Sequence, residues 1–250
     1  MARTTRKIED IRIYCTSEAS KQNAAFFDHK ELIGLPFLFS SKLREQGFSL
    51  GNFDQIYIYI EALAKVERIT LVESKRQQPT WARTAMVTIP QDLSNLSLME
   101  QRDYTIRLIA RCANLVCNEN GISDVLVQET CNWLLDSEQE HSILLAATET
   151  NAFGISVRFE CKPSEVRPGF GGCYHVKAFL SVLRKRDGRK FVVYFFEGLA
   201  QVLTALIDKI EVKNEVIYFK QKQSARAKDY LRLFFEDYSE IPTFRIQDLV

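Results

Sequence analysis

Histidine is scarce in this sequence, which has only His29, His141 and His175 among 250 residues. Because histidine is the usual proton carrier near neutral pH, the shortage removes the commonest partner of a catalytic nucleophile. Cys173 and His175 are near neighbours, but two adjacent side chains on a strand have no third group to orient them. A structural cysteine beside a surface histidine is the favoured interpretation, and we expect no enzyme activity.

Long apolar runs are absent as well. The longest candidate, from Phe191 to Ala200, is broken by Glu197 and Gly198, whereas a membrane-spanning helix needs roughly 18 uninterrupted apolar residues. The first ten residues have the charge of an export signal but not the apolar stretch that should follow it. We therefore expect a cytoplasmic protein that does not enter the membrane.

An excess of charge of one sign is also lacking. The 33 Lys and Arg residues nearly cancel the 32 Asp and Glu residues, so no field of the whole molecule draws it to nucleic acid or to an anionic membrane. Any charged binding surface must therefore be local.

Glycine is dense only at Pro168–Gly172, which lacks the Lys-Ser/Thr of a phosphate-binding loop and is predicted to be a hairpin loop.

Cysteine is present, but not in the spacing of a metal site. No CxxC occurs and no histidine lies near Cys112 or Cys117, whose spacing predicts one shared helix. The flanking residues of most cysteines are apolar, which favours reduced thiols packed as small hydrophobic groups. We expect neither a metal nor a cofactor. The six cysteines are Cys15, Cys112, Cys117, Cys131, Cys161 and Cys173.

The first ninety residues are predicted to be strands and loops. Apolar residues alternate with polar ones from Ile11 to Cys15, and residues 53–60 are rich in β-branched and aromatic side chains. Further strands are predicted at 68–72 and 84–89. Gly34 and Pro36 are assigned to a loop between the first two strands.

The period then changes to that of helices. Ser97 and Glu100 fit a capping box, and Asn120-Gly121 fits a helix C-terminus. A second helix is predicted at 123–136, and the short gap between the two helices predicts an antiparallel pair.

From His141 onward the period returns to two, which predicts an antiparallel meander. Strands are expected at 143–148, 155–161, 174–183, 190–196 and 215–220, with turns at Asp187-Gly188 and Lys213-Asn214. A final helix is expected at 224–238. The predicted fold class is α+β, as a single domain over 1–250, with two lobes (1–120 and 121–250) as the alternative.

Two groups of charged residues are candidate binding surfaces, although both patterns are also typical of solvated faces. The acidic group lies along and just beyond the second helix and could meet a basic protein; it comprises Asp124, Glu129, Asp136, Glu138 and Glu140. The basic group occupies one predicted turn and could contact phosphates; it comprises Arg184, Lys185, Arg186, Arg189 and Lys190.

The segment Gly47–Ile58 resembles a pattern of bacterial immunity proteins, the partners of polymorphic and contact-dependent inhibition toxins. A Gly-Phe turn is followed there by a strand with Phe-Asp-x-hydrophobic-Tyr, which stands here as Phe53-Asp54-Gln55-Ile56-Tyr57. The segments Ile8–Cys15 and Pro79–Trp81 and the helix from Leu98 to Val116 occur in a similar order, so the likeness covers residues 1–120.

This resemblance implies a cytoplasmic protein without enzymatic activity that neutralises a cognate toxin, often a nuclease, by occluding its active site. The family supplies no catalytic residues to carry over, and its contact residues vary with the toxin. The expected partner is therefore a basic toxin domain that meets the acidic group. The alternative is an RNA- or DNA-binding module that uses the basic turn at 184–190.

Overall fold

The fold is α+β, as predicted. The computed structural model describes residues 6–16, 34–72, 81–136, 141–161, 175–224, 227–228 and 243–249. These residues form two compact units, one ending at residue 136 and one beginning at residue 141. The second helix of the predicted pair packs within the first unit, so the boundary lies after residue 136 and not at residue 120. None of the described helices is long and apolar enough to cross a membrane.

Among the described residues, the first unit contains a four-stranded sheet and three α-helices. Its strands are β1 (Asp10–Cys15), β2 (Gln55–Ala64), β3 (Arg68–Leu71) and β4 (Ala82–Pro90), and its helices are α1 (Leu35–Glu45), α2 (Leu98–Asn120) and α3 (Val125–Leu135). The strand order is β1-β2-β4-β3. Strands β1, β2 and β4 run parallel, and only β3 is antiparallel to its neighbour.

One face of this sheet is covered by helices. Successive side chains of a strand point to opposite faces, and Ile11, Ile56 and Ile58, which share one face, are each at most 2% exposed. Arg83 of β4 lies on the same face and pairs with Glu119 of α2. Helix α1 packs on strand β1 of the same sheet. Burial of these apolar side chains is therefore what holds the helices to the sheet.

Helix α1 corrects the prediction of a loop around Gly34 and Pro36. Pro36 lies in the first turn of the helix, where the missing N–H of proline costs nothing. Leu35, Leu38 and Leu43 of this helix are buried and at most 1% exposed. The prediction was wrong because it took Gly and Pro as loop residues and overlooked the apolar period that follows them.

The predicted helix pair is confirmed, together with its caps. The Ser97 hydroxyl accepts a hydrogen bond from the Glu100 backbone N–H, and the Glu100 carboxylate accepts from the Ser97 N–H. Gly121 ends α2 with a φ of 63°, in the left-handed region that suits glycine. Arg102, near the start of α2, donates a hydrogen bond to the carbonyl of Leu134 at the end of α3, so the two helices run antiparallel.

The second unit contains the predicted antiparallel meander. Its four strands pair in sequence order: β5 (His141–Glu149), β6 (Phe153–Cys161), β7 (His175–Arg184) and β8 (Arg189–Leu199). A second sheet has the order β11-β10-β9 and comprises β9 (Lys209–Lys213), β10 (Val216–Lys220) and β11 (Phe244–Arg245). The short helix α4 (Ala200–Leu206) lies between the two sheets in sequence. Elements α4, β9 and β11 were not predicted.

The predicted turn at Asp187-Gly188 is confirmed, and the turn predicted at Lys213-Asn214 occurs one residue later. Gly188 has a φ of 69° in the turn that joins β7 to β8, and Asn214 (φ 50°) and Glu215 (φ 61°) form a two-residue turn between β9 and β10. The predicted final helix at 224–238 lies mostly outside the described residues. Phe195 of β8 contacts Phe219 and Phe244, at centroid distances of 5.2 and 5.9 Å. Within the second unit, this aromatic group joins the three-stranded sheet to the four-stranded meander.

The outer side of the second sheet carries one carboxylate among three ammonium groups. Lys209 and Lys213 each lie 3.2 Å from Glu211, and Lys220 lies 3.6 Å from it. The hydrogen bonds from Lys213 and Lys209 lower the pKa of Glu211 from 4.5 to about 2. Ionised Glu211 therefore favours the folded state.

We expect Glu211→Gln to change the pH dependence of stability. A carboxylate whose pKa is lower when folded contributes stability above its unfolded pKa, and this contribution is lost as the pH falls through the folded pKa. The wild type should therefore melt at a higher temperature than the variant at pH 7, and the difference should shrink from pH 4.5 downward and vanish near pH 2. Melting curves by circular dichroism measure this difference, and a constant difference across that range would contradict it.

Candidate functional site

The predicted acidic group is spread along α3. Asp124 directly precedes the helix, Glu129 is exposed in its middle and Asp136 directly follows it. At 1.5 Å per residue, the two aspartates lie about 18 Å apart along the helix axis. Glu138 and Glu140 lie outside the described residues. The described carboxylates thus do not converge on one point.

The predicted basic group lies on the turn between β7 and β8, where two carboxylates offset part of its charge. Arg184 makes two contacts with Asp187, at 2.9 and 3.1 Å, and stacks on Phe191. Lys185 pairs with Glu149 at 2.9 Å. Arg189 lies 3.8 Å from Asp187, whereas Arg186 and Lys190 are exposed and have no ion pair among the described residues.

The described cysteines are thiols shielded from solvent. Burial raises the pKa of Cys112 to about 12 and the pKa values of Cys15 and Cys117 to about 11. A thiol must lose its proton to act as a nucleophile or a metal ligand. No group of three His, Cys, Asp or Glu side chains with the geometry of a metal site occurs in the described ranges. Cys173, one half of the Cys173-His175 pair, lies outside them.

A different cluster stands out on the face of the first sheet opposite to the helices. Tyr14 of β1 pairs in register with Tyr59 of β2, and their rings stack at 5.0 Å with an interplanar angle of 24°. Tyr57 meets Tyr14 edge to face at 5.8 Å. We call this cluster the tyrosine face and define it by the alternating residues of β1 and β2 on this side together with the residue at the bulge that follows them; the alternating residues are Asp10, Arg12, Tyr14, Gln55, Tyr57 and Tyr59, and the bulge residue is Glu61.

Arg12 is fixed within the tyrosine face. Its Nε donates to Oδ2 of Asp10 at 2.7 Å, and its guanidinium lies 5.5 Å from the centroid of the Tyr57 ring. Burial alone would lower the pKa of Arg12, but its hydrogen bonds to Tyr14 and Asp10 raise it instead. The Tyr57 hydroxyl donates to Gln55 at 2.8 Å. Each polar group of this half thus has a partner inside the cluster.

The tyrosine face is open at the carboxyl ends of β1 and β2. Tyr14 is 36% exposed there, and Glu61 is exposed at a bulge of β2. The Thr16 hydroxyl donates to the Glu61 carbonyl at 2.8 Å, which continues the pairing of the two strands by one step. At the amino ends, Ala82 and Thr84 of β4 are buried on this side. The carboxyl end of parallel strands is where α/β sheets usually bind ligands.

A partly open face is uncommon for a largely parallel sheet, since such sheets are usually covered on both faces. The described helices cover only the isoleucine side here. The tyrosine face therefore combines stacked rings, the Arg12 guanidinium held by Asp10 and an exposed carboxylate, which are features typical of binding sites. It has no nucleophile beside a base.

The alternation of isoleucine and tyrosine from Ile56 to Ile60 predicts a strand, but it does not predict a function for the tyrosines. The available signal was that three tyrosines occupy the polar positions of two strands. Searches against protein-family models, curated proteins and solved structures find no match to this chain.

Proposed function

We propose that this protein is a non-enzymatic binding module of the immunity type, which neutralises a cognate protein toxin by covering its active site. The tyrosine face is the observation that carries this proposal. Tyr and Arg are enriched in protein interfaces and dominate their binding energy. A tyrosine also presents a large contact area at a low cost in conformational entropy.

The charge of the tyrosine face supports a protein partner over a nucleic acid. Asp10 and Glu61 carry two negative charges against the single positive charge of Arg12, so the cluster has no cationic excess for a phosphate backbone. Its stacked rings could hold bases, but nucleic-acid platforms combine such rings with a positive groove. A protein surface with basic side chains is the better match.

The remaining groups that could carry chemistry support a binding role too. Burial raises the pKa values of Cys15, Cys112, Cys117 and Cys131, which keeps these thiols protonated near neutral pH, and the described carboxylates of α3 lie apart from each other. A toxin inhibitor needs no reacting group, because it acts by excluding substrate from its partner.

The basic turn at 184–190 is the basis of the alternative, a nucleic-acid-binding module. Asp187 and Glu149 engage Arg184 and Lys185, which leaves Arg186 and Lys190 as the cations best placed to contact phosphates. Two exposed cations supply a weak and strongly salt-dependent attraction. The aromatic ring next to this turn, Phe191, is covered by Arg184.

Co-expression with the product of the neighbouring gene tests the proposed function. We expect the tagged chain to retain that product as a stoichiometric complex through size-exclusion chromatography, and to restore growth of cells that express it. Catalytically inactive toxin should bind equally well, because the inhibitor covers the site without being processed. A chain that restores growth without a recoverable complex, or that recovers no stoichiometric partner, would count against the proposal.

A further inference from the structure

The tyrosine face already contains one site occupied by a guanidinium. Arg12 lies over the Tyr57 ring at 5.5 Å and pairs with Asp10 at 2.7 Å. The ring supplies a negatively polarised face, and the carboxylate supplies a full negative charge. A ring on β2 together with a carboxylate and a hydroxyl on β1 thus holds an arginine side chain here.

The same combination recurs at the open end of the cluster, and no cation of the described chain fills it. Tyr14 and Tyr59 stack against each other, and Glu61 follows Tyr59 on the exposed side of β2. Glu61 lies at the bulge directly after Ile60, and the Thr16 hydroxyl donates to its carbonyl, so the backbone of Glu61 lies beside the strand residue that follows Cys15. Within the described ranges, Glu61 has no ion pair, and the only arginine over a ring of the tyrosine face is Arg12.

We propose that the Tyr14-Tyr59 pair and Glu61 form a receptor for an arginine side chain of the partner protein. This inference rests on the proposed function and states which chemistry the partner must present. Arginine fits better than lysine, because its planar group stacks on a ring while its N–H groups reach a carboxylate in the same plane. Glu61 supplies the charge, and the exposed side of Tyr14 supplies the stacking surface.

The geometry makes the inserted arginine an anchor of the interface. Anchors lie in pockets from which water is excluded by surrounding contacts. The existing Asp10-Arg12-Tyr57 group fixes one wall, because its members are already paired and need no rearrangement on binding. The receptor is therefore largely preformed, which lowers the entropy cost of association.

Capped peptides test the receptor without knowledge of the partner. The probes are a fluorescently labelled peptide with three arginines separated by glycines, the matching lysine peptide and a labelled oligothymidine of ten nucleotides. Fluorescence anisotropy at low salt measures their binding to the full chain. We expect the arginine peptide to bind about ten-fold more tightly than the lysine peptide and the oligothymidine to bind more weakly than both.

Two variants and one matched control locate the binding. Glu61→Gln keeps the size of an exposed side chain, and Tyr14→Leu keeps an apolar group; each should weaken binding of the arginine peptide about ten-fold. Tyr218→Leu is the control, because Tyr218 is 37% exposed on β10 while Tyr14 is 36% exposed. Its neighbour Glu211 is held by lysines, so this replacement should leave binding unchanged. Circular dichroism checks that every variant is folded.

Three results would overturn the inference: unchanged peptide affinity in Glu61→Gln, equal affinity for the two peptides, or tighter binding of the oligothymidine than of either peptide. The outcome is separable from that of the proposed function. A recovered toxin complex with no arginine preference would refute the receptor alone. Arginine binding that is lost in both variants, without any protein partner, would refute the immunity role alone.

Discussion

Replacing Glu119 with alanine is expected to lower the free energy of unfolding by about 3 kcal/mol, because it leaves the Arg83 guanidinium buried without a counter-charge. Nε of Arg83 donates to Oε2 of Glu119 at 2.6 Å, and Nη2 donates to the other carboxylate oxygen. The Arg83 side chain is 6% exposed, whereas that of Glu119 is 41% exposed. Water can enter from the Glu119 side, so the loss should stay at the low end of the range for broken buried pairs.

Urea denaturation of a double-mutant cycle measures this effect. Arg83→Met should cost less than Glu119→Ala, because methionine fills the buried space and the remaining carboxylate stays near water. The double variant should be about as stable as Arg83→Met alone, since no charge is then left buried. Equal losses from the two single changes, or an additive double variant, would show that the pair contributes only as two independent side chains.

The parts of the fold that sequence predicted well are those that local signals specify. Ser97, Glu100 and Gly121 fix both ends of α2 through contacts within one turn, and Gly188 fixes the turn between β7 and β8. The alternation of side chains identified most strands, because one face of each sheet is buried. These signals lie within a few residues of the structure that they determine.

The arrangement of the first sheet was less accessible to sequence reasoning. Parallel pairing of β1 with β2 joins Asp10 to Gln55, and no turn residue marks such a long connection. Parallel strands also need a crossover, and α1 (Leu35–Glu45) lies in the connection between them, where a loop had been predicted. Because α1 was not predicted, no local feature indicated that β1 and β2 are parallel.

The candidate site could not be predicted for a related reason, because it depends on how strands distant in sequence pair. Tyr14 and Tyr59 are ordinary strand residues in sequence, and they become a stacked pair only through the register that places them side by side. Glu61 gains its position from the bulge that follows Ile60. The acidic and basic groups were easier to notice because their members are close in sequence. Proximity along a helix still left Asp124 and Asp136 at opposite ends of α3.

If the tyrosine face is the toxin interface, replacing both Tyr14 and Tyr59 with alanine should weaken the toxin complex about 100-fold or more. That factor corresponds to about 3 kcal/mol, within the range for a few dominant aromatic residues. Both rings are replaced so that no stacked aromatic surface remains for the partner, which should give a larger loss than the change of Tyr14 alone. The dissociation rate should account for most of the change, since mutations in one interface act mainly on dissociation.

Surface plasmon resonance with captured toxin measures both rates. Tyr218→Ala is the matched control, because it removes an equally exposed tyrosine from the second unit. A second comparison replaces Asp124, Glu129 and Asp136 with their amides, which removes three charges from the surface of α3. If that triple variant dissociates faster while the double alanine variant does not, the interface lies on α3, and the tyrosine face is then only a feature of the fold. The opposite pattern would place the binding energy on the stacked rings. Thermal unfolding of each variant shows whether the change removed only contacts or also disturbed the folded structure.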